Sequence, residues 1–255
     1  MCLILFAYHA HPTYKLIVAA NRDEFYQRPT APAQYWEDIP DILAGRDLEK
    51  MGTWMGVTSN GRFSALTNYR DPSEFSLKKR SRGELVADAL QYKGDLNAYM
   101  EMLADKKDEY PGYNLLAGEA NQLYYYSNKS DHLQRLMPGI YGVSNHLLDT
   151  EWPKVQKGKA GLSSIIKETN DDMVEKLFTL LQNSDPAPEQ LLPNTGVPLE
   201  MERMLSPLFI KSPDYGTRSS TVIRMTDDEI LFHERIFTNN ERKDQEFTIH
   251  LKNEY

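Results

Sequence analysis

Two apolar runs stand close together at the N-terminus: CLILFAY, residues 2–8, and KLIVAAN, residues 15–21, joined by a turn that contains Pro12. Apolar and β-branched runs of this length, bounded by a proline turn, are consistent with a buried hairpin that begins at residue 2. The sole cysteine of the 255 residues occupies the first position of that hairpin, directly behind Met1. A lone cysteine makes neither an intramolecular disulfide nor a multi-cysteine zinc site, so a reducing compartment is expected and the cytoplasm is the expected location.

Further along, TWMGVTSNGRFSALTNY predicts a second hairpin, with Asn60-Gly61 as the positive-φ pair of a type I′ turn. The stretch between the hairpins, rich in Pro and Trp, reads as irregular. SRGELVADALQY and DLNAYMEMLADKKDEY carry apolar residues at helical spacing, as do residues 151–168, DDMVEKLFTLLQ behind an Asp pair read as an N-cap, and PLEMERMLSPLF. YNLLAGEANQLYYYSNK, GIYGVSN, SSTVIRMTDDEILFHERIF and EFTIHLK read as strands. Strands grouped at both ends with helices between them predict an α+β fold, and NSDPAPEQLLPNTGVP reads as an insertion within a single domain.

A net charge of −8 argues against nucleic acid, which needs clustered Lys and Arg on one face. The one basic run, SLKKRSRGE, reads as a solvated loop leading into a helix, with an anion-binding loop as the other reading. No apolar run approaches the ~18 residues of a membrane span, so no integral membrane association is expected. Neither G-x-G-x-x-G nor a P-loop is present.

Removal of Met1 would put a thiol beside a free α-amine. That amine has an ordinary pKa of about 7.7–8.0 and is able to take the thiol proton, so one residue supplies nucleophile and base. Such a site needs a group to hold the amine, a cation to favour thiolate and donors for an oxyanion. The competing reading makes Cys2 a small core residue.

Together, CLILF, ANRDEFYQRPT, GTWMGVTSNGRFSALTNYRDP, GIYGVSN and YGTRSSTV resemble the NRDE family, the transport and Golgi organisation proteins, named after Asn21-Arg22-Asp23-Glu24. The layout resembles, more distantly, the cysteine N-terminal-nucleophile hydrolases of the bile-salt hydrolase and penicillin V acylase type. That resemblance implies a four-layer αββα sandwich over residues 1–255 and hydrolysis of a small amide or acyl substrate. It implies Cys2 as nucleophile, Arg22 beside the thiol and Asp23 on the α-amine. Strand alternation sets Arg22 and Asp23 on opposite faces unless the strand ends there, which makes Glu24 the rival acid. Asn68 and Asn145 are candidates for the oxyanion hole or substrate anchors, and Arg218 for the late arginine. Each also reads singly as a turn or surface residue.

No cofactor is expected, with haem as the alternative that the NRDE resemblance raises. Cys2, His9, His11 and Met55 are its candidate axial ligands, and His9-Ala10-His11 lacks an evident third ligand for a metal site. Trp36, Trp54 and LYYYSN are expected to pack a core or line an apolar pocket. The family resemblance also implies a carrier of haem, lipid or acyl-coenzyme A, or a trafficking scaffold, as alternatives to the enzyme.

Overall fold

The computed structural model describes residues 2–74, 79–168, 172–238 and 241–251. As the apolar runs predict, β1 (Cys2–Tyr8) and β2 (Leu16–Phe25) pair antiparallel, with Cys2 opposite Arg22. Both faces of β1 are buried, which is why its residues are apolar without interruption. Ile4, Phe6 and Tyr8 enter one core, and Leu3, Leu5 and Ala7 enter another.

Two antiparallel sheets supply the first of those cores. One runs β10 (Gly139–Val143), β1, β2, β11 (Tyr215–Met225), β12 (Glu229–Thr238), β13 (Glu241–His250). The other runs β3 (Thr30–Tyr35), β4 (Ile42–Asp47), β5 (Met55–Thr58), β6 (Phe63–Asn68), β7 (Tyr113–Glu119), β8 (Gln122–Ser127), β9 (His132–Arg135). They face each other over Phe6, Val18, Phe63, Leu116, Ile223 and Phe232. Outside the first sheet lie α3 (Pro153–Ile165) and α4 (Met173–Leu181), packed through Val155, Leu162 and Leu177. Outside the second lie α1 (Gly83–Gln91) and α2 (Leu96–Asp105), packed through Val86, Leu90 and Met100. The result is the expected αββα sandwich. Trp36, Tyr124 and Tyr126 pack the outer core of the second sheet, while Tyr125 turns inward and Trp54 packs against the inner core.

Local expectations needed correction in four places. The β5–β6 hairpin forms, but Gly61 alone takes positive φ (93°), and its N–H donates to Thr58 O at 3.1 Å. Asn60 therefore does not form half of a type I′ pair; the loop has the form of a tight turn closed by a left-handed glycine. The segment read as irregular holds β3 and β4, hidden because Pro32 sits in β3, an edge strand whose ladder shifts register between Ala31 and Gln34. Asp172 precedes α4 but makes no capping bond, its carboxylate pairing instead with Lys176 at 2.9 Å; Asp171 lies outside the described residues. The helix α5 (Leu199–Met204) stops early because Pro207 disfavours the helical region for Ser206.

The close seating of α3 on β1 depends on Gly158, where an added Cβ would lie 2.6 and 2.7 Å from the two methyls of Leu5. Gly158→Ala is expected to lower stability by about 1–2 kcal/mol through overpacking, despite alanine's better helix propensity. Urea unfolding of Gly158→Ala, Leu5→Ala and the double variant tests this. Additive losses, with no relief when Leu5 is trimmed, would show that the contact is not the cause.

Candidate active site

The alternation that divides the apolar side chains of β2 between two cores continues into its polar end. Asn21, Arg22 and Asp23 remain 0%, 8% and 1% exposed, so each must find partners inside the protein. Asn21 and Asp23 face the α3–α4 layer. The Asn21 amide donates to Leu181 O at 2.9 Å and Leu208 O at 2.8 Å, and its oxygen accepts from Ser220 Oγ at 2.6 Å. Asp23 Oδ1 accepts from Thr217 Oγ1 at 2.7 Å. On the inner face stand Arg22 and Glu24, their charged ends 3.8 Å apart, with Arg28 3.9 Å from Glu24. Because β2 runs to Phe25, Arg22 and Asp23 do point to opposite sides of the sheet.

Cys2 lies on the inner face, opposite Arg22 in the ladder, which sets their Cβ atoms about 5 Å apart. Here the sheets part into a cleft of about 740 Å³, with Cys2, Arg22, Asp23, Asn68 and Arg218 in its lining. Arg218 arrives through a bulge: Thr217 pairs with Asp23 and Ser219 with Arg22, so the residue between them has no place in the ladder. Its guanidinium donates to the carbonyls of Phe25 and Arg28, holding the chain that leaves β2.

Asn145 differs from the expectation: it is 0% exposed and does not line the cleft. Its amide donates to Asn68 O at 3.0 Å, so it holds the residue that does. Next to it, Ser144 Oγ donates to Cys2 O at 3.1 Å, and Thr67 Oγ1 donates to Ser144 O at 2.5 Å. The end of β10 thus ties the Cys2 backbone to β6 of the opposite sheet.

Burial pushes the Cys2 thiol above its ordinary pKa, and the Asp23 charge adds to this, while Arg22 and the Asp23 N–H act in the other direction. Burial likewise raises Asp23, against the pull of Lys154, Thr217 and Arg22. Lys154 is 3% exposed and donates to Leu205 O at 3.0 Å. Beside it Arg70 and Glu202 form a buried ion pair, with Arg70 also 4.9 Å above the Trp152 ring. Across the cleft, Glu234 is held by Ala33 N–H at 2.7 Å. Nothing in the sequence around Lys154, Arg70 or Glu234 separates them from surface charges, since only topology buries them. The basic run contributes Lys79, Arg80 and Arg82 to the lining, and Lys78 lies outside the described residues.

The candidate haem ligands do not converge. His9, at the far end of β1 and about 23 Å from Cys2 along an extended strand, donates from Nε2 to Ala120 O at 2.8 Å. His11 Nδ1 accepts from Thr13 N and Tyr14 N, and Met55 is buried between the sheets.

Comparison with solved structures finds the same fold in a mutant conjugated bile acid hydrolase from Clostridium perfringens. That match has a TM-score of 0.52 and 8% identity, and it covers 99% of this chain and 97% of that one. Among proteins of known sequence, the Transport and Golgi organization protein 2 homolog of Bos taurus is 34% identical over 98% of both chains. The Homo sapiens homolog is 33% identical over 92% of both. Residues 1–239 match the model of Transport and Golgi organisation 2, and with relatives this similar along almost their whole length the chain belongs to that family.

Proposed function

We propose that the protein is an N-terminal-cysteine hydrolase of a small amide or acyl substrate. The observation that carries this reading is the pairing of Cys2 with Arg22 at a cleft that also receives Asn68 and Arg218. The fold shared with the bile acid hydrolase supports it. With Met1 removed, the Cys2 α-amine takes the thiol proton and the sulfur attacks the substrate carbonyl. Arg22 favours the thiolate, and the Asn68 amide meets the oxyanion as the tetrahedral intermediate forms. Asp23, on the other side of the sheet, holds the resulting ammonium. The ammonium returns its proton to the leaving group as the C–N or C–O bond breaks, leaving a Cys2 thioester. Water, deprotonated by the same amine, then attacks the thioester and regenerates the thiol.

A second reading, a carrier on the same fold, draws on one observation: burial works against the thiolate at Cys2. Intact-mass analysis after exposure to a thiol-reactive acyl probe distinguishes the two. The enzyme reading expects loss of Met1 and one acyl addition that Cys2→Ala lacks. A retained Met1, or a thiol inert in every preparation, would favour the carrier.

Two variants test the electrostatics. Arg22→Gln removes the cation opposite the thiol, so the pH at which Cys2 becomes half-alkylated in a fixed time is expected to move upward. An unmoved profile would deny Arg22 that role. Burial lowers Lys154 to about 8, below its ordinary 10.5. Between those values the unfolded chain carries the proton that the folded one lacks, so this residue makes stability rise with pH across that window. The slope is at most about 1.4 kcal/mol per pH unit. Lys154→Met is expected to abolish that component when denaturant midpoints are compared from pH 7.5 to 10.5.

A further inference from the structure

The charge of the cleft is opposite to that of the chain. Against a net charge of −8 overall, its lining holds nine lysines and arginines and four acidic residues. Some of these cations are already satisfied. Arg28 pairs with Asp47, Arg46 with Asp38, Lys79 with Glu74, and Arg80 with Glu84 and Glu109. Others are not. Among the described residues Arg82, Arg218, Lys50 and Lys243 have no ion-pair partner; Arg82 donates only to Gly112 O, and Arg218 to backbone carbonyls and the Thr30 hydroxyl.

The deepest cation carries a second sign. Arg22 is 8% exposed, yet among the described residues its Nη1 has no hydrogen-bond partner, and the carboxylate within ion-pair distance of it, Glu24, is shared with Arg28. A buried guanidinium N–H without an acceptor carries a desolvation cost that an exposed one, still hydrated, does not, and such a group suits a ligand oxygen. The acids do not cancel the surplus. Asp23 accepts from Thr217 on the helix side and Glu234 accepts from the Ala33 N–H, and with Glu24 and Asp47 they make four carboxylates against nine cations.

We infer that the cleft takes a polyanionic ligand, with anionic oxygens on Arg22, Arg82 and Arg218 and further negative charge toward the exposed Lys50 and Lys243. The inference rests on the hydrolase reading only for the position of the reactive carbonyl, which would lie at Cys2. Anion binding itself needs no chemistry at the thiol. Phosphate and carboxylate groups share the chemistry that these cations recognise, since a guanidinium fork meets either in two-point fashion.

Calorimetric titration of the full-length protein at low salt, with inorganic pyrophosphate and with tricarballylate, tests the inference. At least one probe is expected to bind with an affinity that falls as salt rises, and the stronger of the two names the anion class. Arg82→Gln is expected to weaken it about tenfold. The double variant Lys50→Gln, Lys243→Gln, which removes no ion pair among the described residues, is expected to weaken it as well, so a folding defect in Arg82→Gln leaves the test intact. Binding by neither probe, or binding unchanged in both variants, overturns the inference. Anion binding needs no thiol, so the two readings separate: if the anion binds while the acyl probe finds no reactive thiol in the parent protein, the hydrolase reading fails and the anion site stands.

Discussion

The register of β1 against β2 is the constraint from which the rest follows. With Cys2 opposite Arg22, every second residue of both strands is committed to the space between the sheets and the others to the helices. A slip of one residue would turn Ile4 and Phe6 outward and send the thiol and the guanidinium to opposite faces. The apolar core thus enforces the polar site. Burying about a dozen large side chains at 1.5–3 kcal/mol each far exceeds any single interaction at the cleft.

That division also sorts charge. The inner end of the sandwich collects cations around the thiol, whereas the layer beneath the sheet collects Asp23, Lys154 and the Arg70–Glu202 pair. Buried ions of both signs cost desolvation that their attraction repays only with good geometry, so they are weak evidence of stability. Ser144 and Asn145 join the two regions, since one holds the Cys2 carbonyl and the other the carbonyl of Asn68. The backbone of the proposed nucleophile and that of its proposed oxyanion donor are therefore fixed by adjacent residues.

Much of the sandwich was legible because its signals are local. CLILFAY announces a buried strand, and the spacing in ELVADALQ and MVEKLFTLL announces helices whose apolar faces meet a sheet. Edge strand β3 was not legible, because Pro32 and a register shift erase the alternation that identifies a strand. At the site, Cys2, Arg22, Asn68 and Arg218 line one cleft. Asn145 lies one layer behind, because its amide is spent on a carbonyl that only the fold brings near. Lys154 and Glu234 look like surface charges in the sequence. Their burial depends on partners distant in the chain, Leu205 for Lys154 and Ala33 for Glu234, and no local pattern encodes it.

One strand protects the others. β13 pairs with β12 over the full length of both and presents Glu241, Arg242, Lys243 and Asp244 along the outer edge of its sheet. Charged edges discourage another chain from adding a strand. A polypeptide ending before residue 241 would leave the backbone of β12 unpaired next to Ile230 and Phe232, giving it a template for intermolecular β-pairing. The C-terminal strand therefore serves as a guard against aggregation as well as a wall of the cleft.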